Sequence, residues 1–193
     1  MEEKIIISGV GGQGVLTLAK LIGEIGLVKG LKVNVAEVHG LAQRGGSLMA
    51  SVKISRSILA PTVGMGTADK LIGLELIEGA RYINYLKVGG VAVLNDYIMA
   101  PPLSKPIDRR RLLDALKGLP FKIYLVSAHS IAKSLGDVRV VNTVMLGAFS
   151  RLEPTWFNWG EAIKALGRVF KGKALELNIK AFRLGREAPL KPL

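Results

Sequence analysis

The chain has 193 residues, of which 49% are hydrophobic but only 6% aromatic, so one globular domain with an aliphatic core is expected. It has no cysteine, which excludes disulfides, thiolate zinc sites, cysteine nucleophiles and any iron–sulfur cluster held by its own thiolates. With two histidines, a histidine-rich metal site is not expected. No apolar run reaches the roughly 18 residues that a membrane span needs, and the short acidic N-terminus is unlike a signal peptide. We therefore expect a cytoplasmic protein with no membrane partner.

The net charge of +12 is concentrated in the second half of the chain. Residues 105–193 carry 17 basic and 7 acidic residues, a balance of +10, whereas residues 1–104 carry 10 and 8, a balance of +2. A strongly basic half is typical of a protein with an anionic partner, and it is equally typical of a protein with a lysine-rich solvated surface. Few aromatic residues are interleaved with the basic residues of this half and no nucleic-acid-binding module is recognisable, so a nucleic-acid partner is not expected.

The hydrophobic pattern alternates between strands and helices. Apolar or alternating runs predict strands at residues 4–9, 32–38, 48–54, 69–74, 90–95 and 122–126. Helical spacing predicts helices at residues 15–28, 77–86, 108–116, 130–135, 140–149, 161–170 and 174–184. This order predicts an α/β, Rossmann-like, doubly wound and mainly parallel sheet with helices on both faces and a C-terminal helical segment. We expect one domain over residues 1–193, with an α/β core at 1–150 and a basic helical tail at 151–193.

The first glycine loop, GVGGQG at residues 9–14, follows a predicted strand and opens a predicted helix. Glu37 ends the next strand about twenty residues later, and together these features match the fingerprint of dinucleotide-binding domains. Gly11 would let the backbone approach an anion at the helix N-terminus, and Gly14 would allow close helix–strand packing. The same turn also occurs without a nucleotide, and here the polar Gln13 favours a turn that presents a side chain to a partner or ligand.

The second loop, HGLAQRGGS at residues 39–47, joins the second and third predicted strands. It follows the carboxyl end of a strand, which is where open α/β sheets place ligands. Gln43 and Arg44 are hydrogen-bond donors, and Arg44 could hold a carboxylate or phosphate with two parallel bonds. The two glycines that follow would offer backbone N–H groups to an anion. His39 alone favours a structural role, but the loop as a whole favours a functional one.

Carboxylates and an amide also follow the later strands. Glu75 lies at the carboxyl end of the fourth predicted strand and is a candidate for the site, whereas Glu78 and Arg81 are predicted to form an exposed helix pair. Asn95 and Asp96 are predicted to act as a helix cap or turn. The complete set of candidate ligand- or partner-site residues is Gly11, Gly12, Gln13, Gly14, His39, Gln43, Arg44, Gly45, Gly46, Ser47 and Glu75.

Both loops at this spacing, GVGGQGV at residues 9–15 and EVHGLAQRGGS at residues 37–47, closely resemble the gamma-type subunit of the 2-oxoacid:ferredoxin oxidoreductases. Within that family the sequence is similar to the indolepyruvate-oxidising members. The segments DKLIGLE at residues 69–75 and NTVMLGA at residues 142–148 resemble the same subunit. The resemblance covers about the first 150 residues well and the basic tail loosely.

This resemblance implies a subunit of an enzyme that oxidatively decarboxylates 2-oxoacids, here arylpyruvates such as indolepyruvate, to acyl-coenzyme A. Electrons would pass to ferredoxin, and coenzyme A would be a co-substrate. Thiamine diphosphate, magnesium and 4Fe-4S clusters are expected on a larger alpha subunit, with no cofactor, metal or catalytic residue on this chain alone. The sequence agrees, because it lacks cysteine and also lacks the Gly-Asp-Gly segment with a following asparagine that is typical of thiamine sites.

The alternative function is a stand-alone NAD- or FAD-binding Rossmann reductase. It depends on the first loop and Glu37. The second loop favours the subunit, since a plain dinucleotide-binding domain has no need of the HGLAQRGGS sequence.

Overall fold

The computed structural model describes residues 2–39, 45–57, 60, 62–99, 107–152 and 156–193. Its sheet has the order β2-β3-β1-β4-β5-β6-β7. The strands are β1 (Glu2–Val10), β2 (Lys32–His39), β3 (Ser47–Ser55), β4 (Ala68–Gly73), β5 (Leu86–Asn95), β6 (Lys122–Val126) and β7 (Lys191–Pro192). The helices are α1 (Val15–Val28), α2 (Leu76–Arg81), α3 (Arg109–Lys117), α4 (Ala128–Ser134), α5 (Val141–Phe149), α6 (Trp159–Val169) and α7 (Gly172–Glu187).

Most of the sheet is parallel, with one reversed strand inside it. β1, β4, β5 and β6 are paired in parallel, whereas β3 is antiparallel to both β1 and β2. β2 therefore runs in the same direction as β1 but is separated from it by β3. The predicted α/β fold is confirmed, and each predicted strand is present. The short β7, antiparallel to β6, is the strand that the sequence did not reveal.

Helices cover both faces of the sheet, as predicted. Ile5 and Ile7 of β1 face a core shared with α1, α4, α5, α6 and α7, whereas Ile6 faces a second core shared with α2 and α3. This division follows from the two-residue period of side chains along a strand. The basic C-terminal helices α6 and α7 bury Leu166 and Phe182 in the first of these cores. The division of the chain at residue 150 stays a prediction.

Boundaries differ most around the start of β5. The helix predicted at residues 77–86 ends at Arg81 and is followed by a short 3-10 turn, Ile83–Tyr85. β5 then begins four residues before the predicted Gly90, with a bulge opposite β4 between Ala68 and Lys70. The glycine pair that precedes the apolar run lies in this bulge, and for that reason periodicity did not locate the true start.

Glycines let α5 and α7 cross in close contact. A methyl group on Gly185 would overlap the backbone carbonyl of Val144, and one on Gly147 would overlap that of Phe182. Backbone cannot yield as a flexible side chain does, so we expect Gly185→Ala to lower the free energy of unfolding by about 1–3 kcal/mol. Urea denaturation of the full chain measures it. Gly167→Ala in α6, where a methyl group meets nothing within 4 Å, is the control expected to lose no stability.

Candidate functional site

The first glycine loop forms a tight turn that its own glutamine closes. Gly14 precedes the first residue of α1 with φ of 85°, a left-handed conformation that glycine adopts without strain. The Gln13 carbonyl oxygen accepts a hydrogen bond of 2.9 Å from the backbone N–H of Val10. The side-chain oxygen of Gln13 therefore stabilises the turn. The Gln13 amide nitrogen makes no hydrogen bond with the described residues, and the predicted ligand or partner role of Gln13 stays a prediction.

The second loop is bonded directly to the first. The Gly11 N–H donates to the Gly46 carbonyl at 2.8 Å, and the Gly45 N–H donates to the Gly11 carbonyl at 3.2 Å. The antiparallel register that pairs Val10 with Ser47 brings the end of β1 and the start of β3 together. The prediction that both glycine loops lie at one edge of the sheet is thereby confirmed.

Part of the second loop lies outside the described residues. Gln43 and Arg44 fall in residues 40–44, so their predicted roles stay predictions. The backbone of His39 ends β2 opposite Leu48, while its side chain is also outside the description.

Ser47 connects the second loop to α2. Its hydroxyl donates to the carboxylate of Glu78 and lies 3.1 Å from the hydroxyl of Tyr82. Glu78 also accepts a bond of 3.2 Å from the Arg81 guanidinium. The predicted exposed pair of Glu78 and Arg81 is therefore wrong in one respect: the pair forms, but the Glu78 side chain is only 8% exposed. Its second partner, Ser47, is 31 residues away in sequence and could not be identified from helical spacing.

Glu75 is a buried helix cap. Its carboxylate accepts hydrogen bonds from the backbone N–H groups of Glu78, at 2.8 Å, and Met99, at 3.0 Å, and it precedes the first residue of α2. Burial raises the pKa of the Glu75 carboxyl, although the backbone donors act in the opposite direction. The side chain is 1% exposed, so this geometry favours fixing α2 and residues 97–99 over contact with a ligand.

The same edge continues across β5 and β6. Asn95 donates to the Leu74 carbonyl at 3.0 Å and accepts from the His129 N–H at 3.2 Å, so it caps α4 from a neighbouring strand. Asp96 pairs with Arg109 at 2.7 Å. The prediction of a cap or turn for Asn95 and Asp96 is thus confirmed for Asn95. The helix that Asn95 caps is distant in sequence, and it does not follow Asn95 directly.

A second polar group contacts the first loop from the other face of the sheet. The Asn142 amide donates to the Gly14 carbonyl at 3.3 Å, and its oxygen accepts from the backbone N–H of Thr143 at 2.8 Å. The Thr143 hydroxyl donates to Asn178 of α7 at 2.6 Å. Beside these residues, a cleft of about 540 Å³ separates the first turn of α1 from α7. No sequence pattern connects position 142 with the loop, because the two are 128 residues apart.

The geometry is unfavourable to a bound dinucleotide. The Gly11 N–H, which would face a pyrophosphate, is bonded to Gly46. Because β3 lies between β1 and β2, these two strands are one strand spacing, about 5 Å, farther apart than they would be as neighbours. Glu37, the residue expected on the ribose, is therefore displaced from the first loop. These features argue against the stand-alone reductase.

The described residues contain neither a cluster of side chains that could hold a metal ion nor a helix that could span a membrane. Across the chain there is no cysteine, and within the described ranges no group of three or more histidine, aspartate or glutamate side chains could hold a metal ion. No helix in that part of the chain is long and apolar enough to cross a membrane. The protein is thus of the Rossmann-like α/β class, with two glycine loops that are hydrogen-bonded to each other at one sheet edge.

Comparisons with known proteins identify the family. A family model described as pyruvate ferredoxin/flavodoxin oxidoreductase matches residues 4–188. The indolepyruvate oxidoreductase subunit IorB of Thermococcus kodakarensis is 37% identical over 194 residues, covering 97% of this chain and 96% of that protein. The chain belongs to this family and is a subunit of a 2-oxoacid:ferredoxin oxidoreductase, functioning within the enzyme complex.

Solved structures agree with this assignment. The gamma subunit of a keto/oxoacid ferredoxin oxidoreductase from Geobacter sulfurreducens is 26% identical, with a TM-score of 0.74 and coverage of 96% of each chain. The fold also recurs in a larger chain, the 2-oxoglutarate:ferredoxin oxidoreductase of Magnetococcus marinus, with a TM-score of 0.76 at 21% identity. This chain covers 30% of that one, and that structure holds 2-oxoglutarate, coenzyme A and succinyl-CoA.

Proposed function

We propose that this chain is the small subunit of an indolepyruvate or arylpyruvate:ferredoxin oxidoreductase of the cytoplasm. The complex would convert the 2-oxoacid to acyl-coenzyme A and pass electrons to ferredoxin. The similarity to a subunit named for indolepyruvate supports the substrate class. The lack of cysteine supports placing thiamine diphosphate, magnesium and 4Fe-4S clusters on a larger alpha subunit.

The chain's own contribution would be the paired glycine loops. The observation that carries this proposal is the direct bonding of Gly11 to Gly45 and Gly46, which merges two polar loops into one surface at the carboxyl edge of the sheet. We infer that this surface contacts the partner subunit near its cofactor or near coenzyme A. Arg44 is the only lysine or arginine between Lys32 and Lys53, so it is the cation that would neutralise a phosphate or carboxylate there.

The chain would act as one domain over residues 1–193. The packing of α6 and α7 into the same core as α1 and α5 supports this. The family model, which extends to residue 188, supports it as well.

Replacing Arg44 tests the proposed role of the loops. Arg44→Lys keeps the positive charge but loses the planar fork that binds an anion with two bonds. We expect the reconstituted complex to lose at least tenfold in activity or in affinity between subunits, about 1.4 kcal/mol. Steady-state kinetics and subunit titration measure the two effects.

The matched control is Arg56→Lys, an exposed arginine beyond the opposite end of β3, which should change neither quantity. Thermal melting of each variant chain verifies that the fold is intact. Full activity and assembly of the Arg44→Lys complex would show that this arginine has no ligand or partner. A melting temperature lowered enough to explain the loss would also contradict the proposal.

A further inference from the structure

We propose that Asn142 and Glu78 are positioning residues that hold the described parts of the paired glycine loops, residues 9–14 and 45–47, in place from opposite faces of the sheet. Asn142 belongs to the face covered by α1, α5 and α7, and Glu78 belongs to the face covered by α2. Neither is among the residues that the loops themselves supply. The consequence for activity depends on the proposed function of the loops, but the positioning itself does not.

Asn142 holds the first loop at the carbonyl of Gly14. That carbonyl already accepts the first intrahelical bond of α1, from Leu18 at 2.9 Å, and the Asn142 amide adds a second donor at 3.3 Å. Asn142 is 4% exposed, and its own oxygen is fixed by the backbone N–H of Thr143. A buried amide with both ends bonded has one orientation, so it fixes the turn that it contacts.

The support for Asn142 extends into α7. Thr143 is fully buried and donates to Asn178, which is 5% exposed and donates in turn to the Ala174 carbonyl at 2.8 Å. A displacement of Asn142 would leave the buried N–H of Thr143 without its acceptor, which is unfavourable for a buried polar group. The first loop is thus connected to the C-terminal helix through three buried polar side chains.

Glu78 holds the second loop at its last residue. Ser47 donates to the Glu78 carboxylate immediately after Gly45 and Gly46, the two residues bonded to Gly11. The Arg81 guanidinium and the backbone N–H bond to Glu75 fix Glu78 in turn. A hydrogen bond to a charged acceptor is stronger than one between neutral groups, so this contact is a firm anchor for the loop.

Hydrogen bonds and covalent neighbours together connect α7 with α2 along the sheet edge. Thr143 donates to Asn178 of α7, and the adjacent Asn142 donates to Gly14 of the first loop. Gly11 of that loop is bonded to Gly45 and Gly46, and the next residue, Ser47, donates to Glu78 of α2. Glycine-rich segments lose more conformational entropy on ordering than other segments do. Anchors on both sides would offset that cost before any partner or ligand binds.

Amide hydrogen exchange of the full chain tests the positioning directly. The N–H groups of Gly11 and Gly45 make the two bonds between the loops, so their exchange rates report how often the loops separate. We expect Asn142→Ala and Glu78→Ala each to accelerate exchange at both glycines by at least tenfold. Glu78→Gln keeps an acceptor for Ser47 and should restore most of the protection.

The matched control is Asn95→Ala. Asn95 is also buried at this sheet edge and also makes two hydrogen bonds, but it contacts neither loop. Gly11 and Gly45 should therefore exchange in this variant as they do in the unmodified chain. Unchanged exchange in Asn142→Ala and Glu78→Ala, or equal acceleration in Asn95→Ala, would overturn the proposal. If Asn142→Ala does not fold, Asn142→Asp replaces it, because it loses the N–H donor to Gly14 but keeps the oxygen that accepts from Thr143, and it should accelerate the same two amides.

Kinetics of the reconstituted complex separate this inference from the proposed function. We expect the two alanine variants to raise the KM for coenzyme A or to weaken subunit assembly at least fivefold, with kcat changed less. Accelerated exchange together with unchanged kinetics and assembly would confirm the positioning and contradict the proposed role of the loops. Unchanged exchange with altered kinetics would overturn the positioning alone.

Discussion

On its own, the purified chain is expected to show no turnover of indolepyruvate. The assay would supply coenzyme A, thiamine diphosphate, magnesium and an electron-accepting dye, so each soluble component is present. The chain lacks the thiolates that a cluster needs and the sequence segment typical of a thiamine site, and our proposal therefore places the cofactor centre on a second chain. This is the largest effect we expect, since the whole of the activity depends on a second chain.

Adding the larger subunit is the positive control, and it should bring activity to the level of the native complex. The larger subunit assayed without this chain distinguishes two roles. Absent activity would mean that this chain completes the site, whereas a raised KM for coenzyme A would mean that it shapes one part of it. Turnover by the isolated chain would contradict the division of labour that we propose.

The sequence predicted the elements of the fold well because their signals are local. α1 begins and ends at the predicted residues, and so does β6, since apolar periodicity marks both elements and Gly14 precedes α1 directly. The position of β3 between β1 and β2 is not a local property. A parallel βαβ unit and this arrangement share the same order of elements along the chain and differ only in which strands pair.

The pairing of β3 with both β1 and β2 explains why the glycine fingerprint does not indicate a dinucleotide site here. The spacing from Gly9 to Glu37 matches a dinucleotide site in sequence, but the match assumes that β1 and β2 are neighbours. Once β3 lies between them, Glu37 is displaced and the free N–H of Gly11 bonds to the second loop. The resemblance of both loops together, and not of the first alone, was the informative signal.

The anchors of the candidate site were not predictable for the same reason. Glu78 was assigned to its helical neighbour Arg81, which it does contact, but its bond to Ser47 spans 31 residues. Asn142 contacts Gly14 across 128 residues. Both are polar residues on helices, where a solvated surface is the usual expectation. A long-range partner becomes visible only when the helices are placed on the sheet.

Loss of a buried ion pair at the other end of the sheet is expected to destabilise the chain strongly. The Lys70 ammonium lies 3.0 Å from the Glu3 carboxylate, with side chains that are 4% and 9% exposed. It also donates to the Leu152 carbonyl at 3.2 Å and lies 5.3 Å from the centre of the Phe149 ring. We expect Lys70→Met to lower the free energy of unfolding by about 3–5 kcal/mol at neutral pH, because it leaves the Glu3 charge buried and uncompensated.

Acid should reduce this loss. Burial raises the pKa of the Glu3 carboxyl, and Lys70 partly offsets that rise. A carboxyl whose pKa is raised on folding binds its proton more tightly in the folded state. The stability that this carboxyl contributes is therefore lost as the pH rises through its folded-state pKa. Without Lys70 the pKa rises further. The deficit of the variant is therefore largest above the raised pKa of Glu3 and shrinks as the carboxyl is protonated.

Urea denaturation at several pH values measures both the loss and its dependence on acid. Glu3→Gln combined with Lys70→Met removes the buried charge together with its partner, so the double variant should regain at least half of the stability that Lys70→Met loses. A loss that stays constant with pH, and that adds to the separate loss of Glu3→Gln, would show that Lys70 contributes packing alone. A coupled, pH-dependent loss would show that the ion pair itself holds β1 and β4 together at the edge opposite the glycine loops.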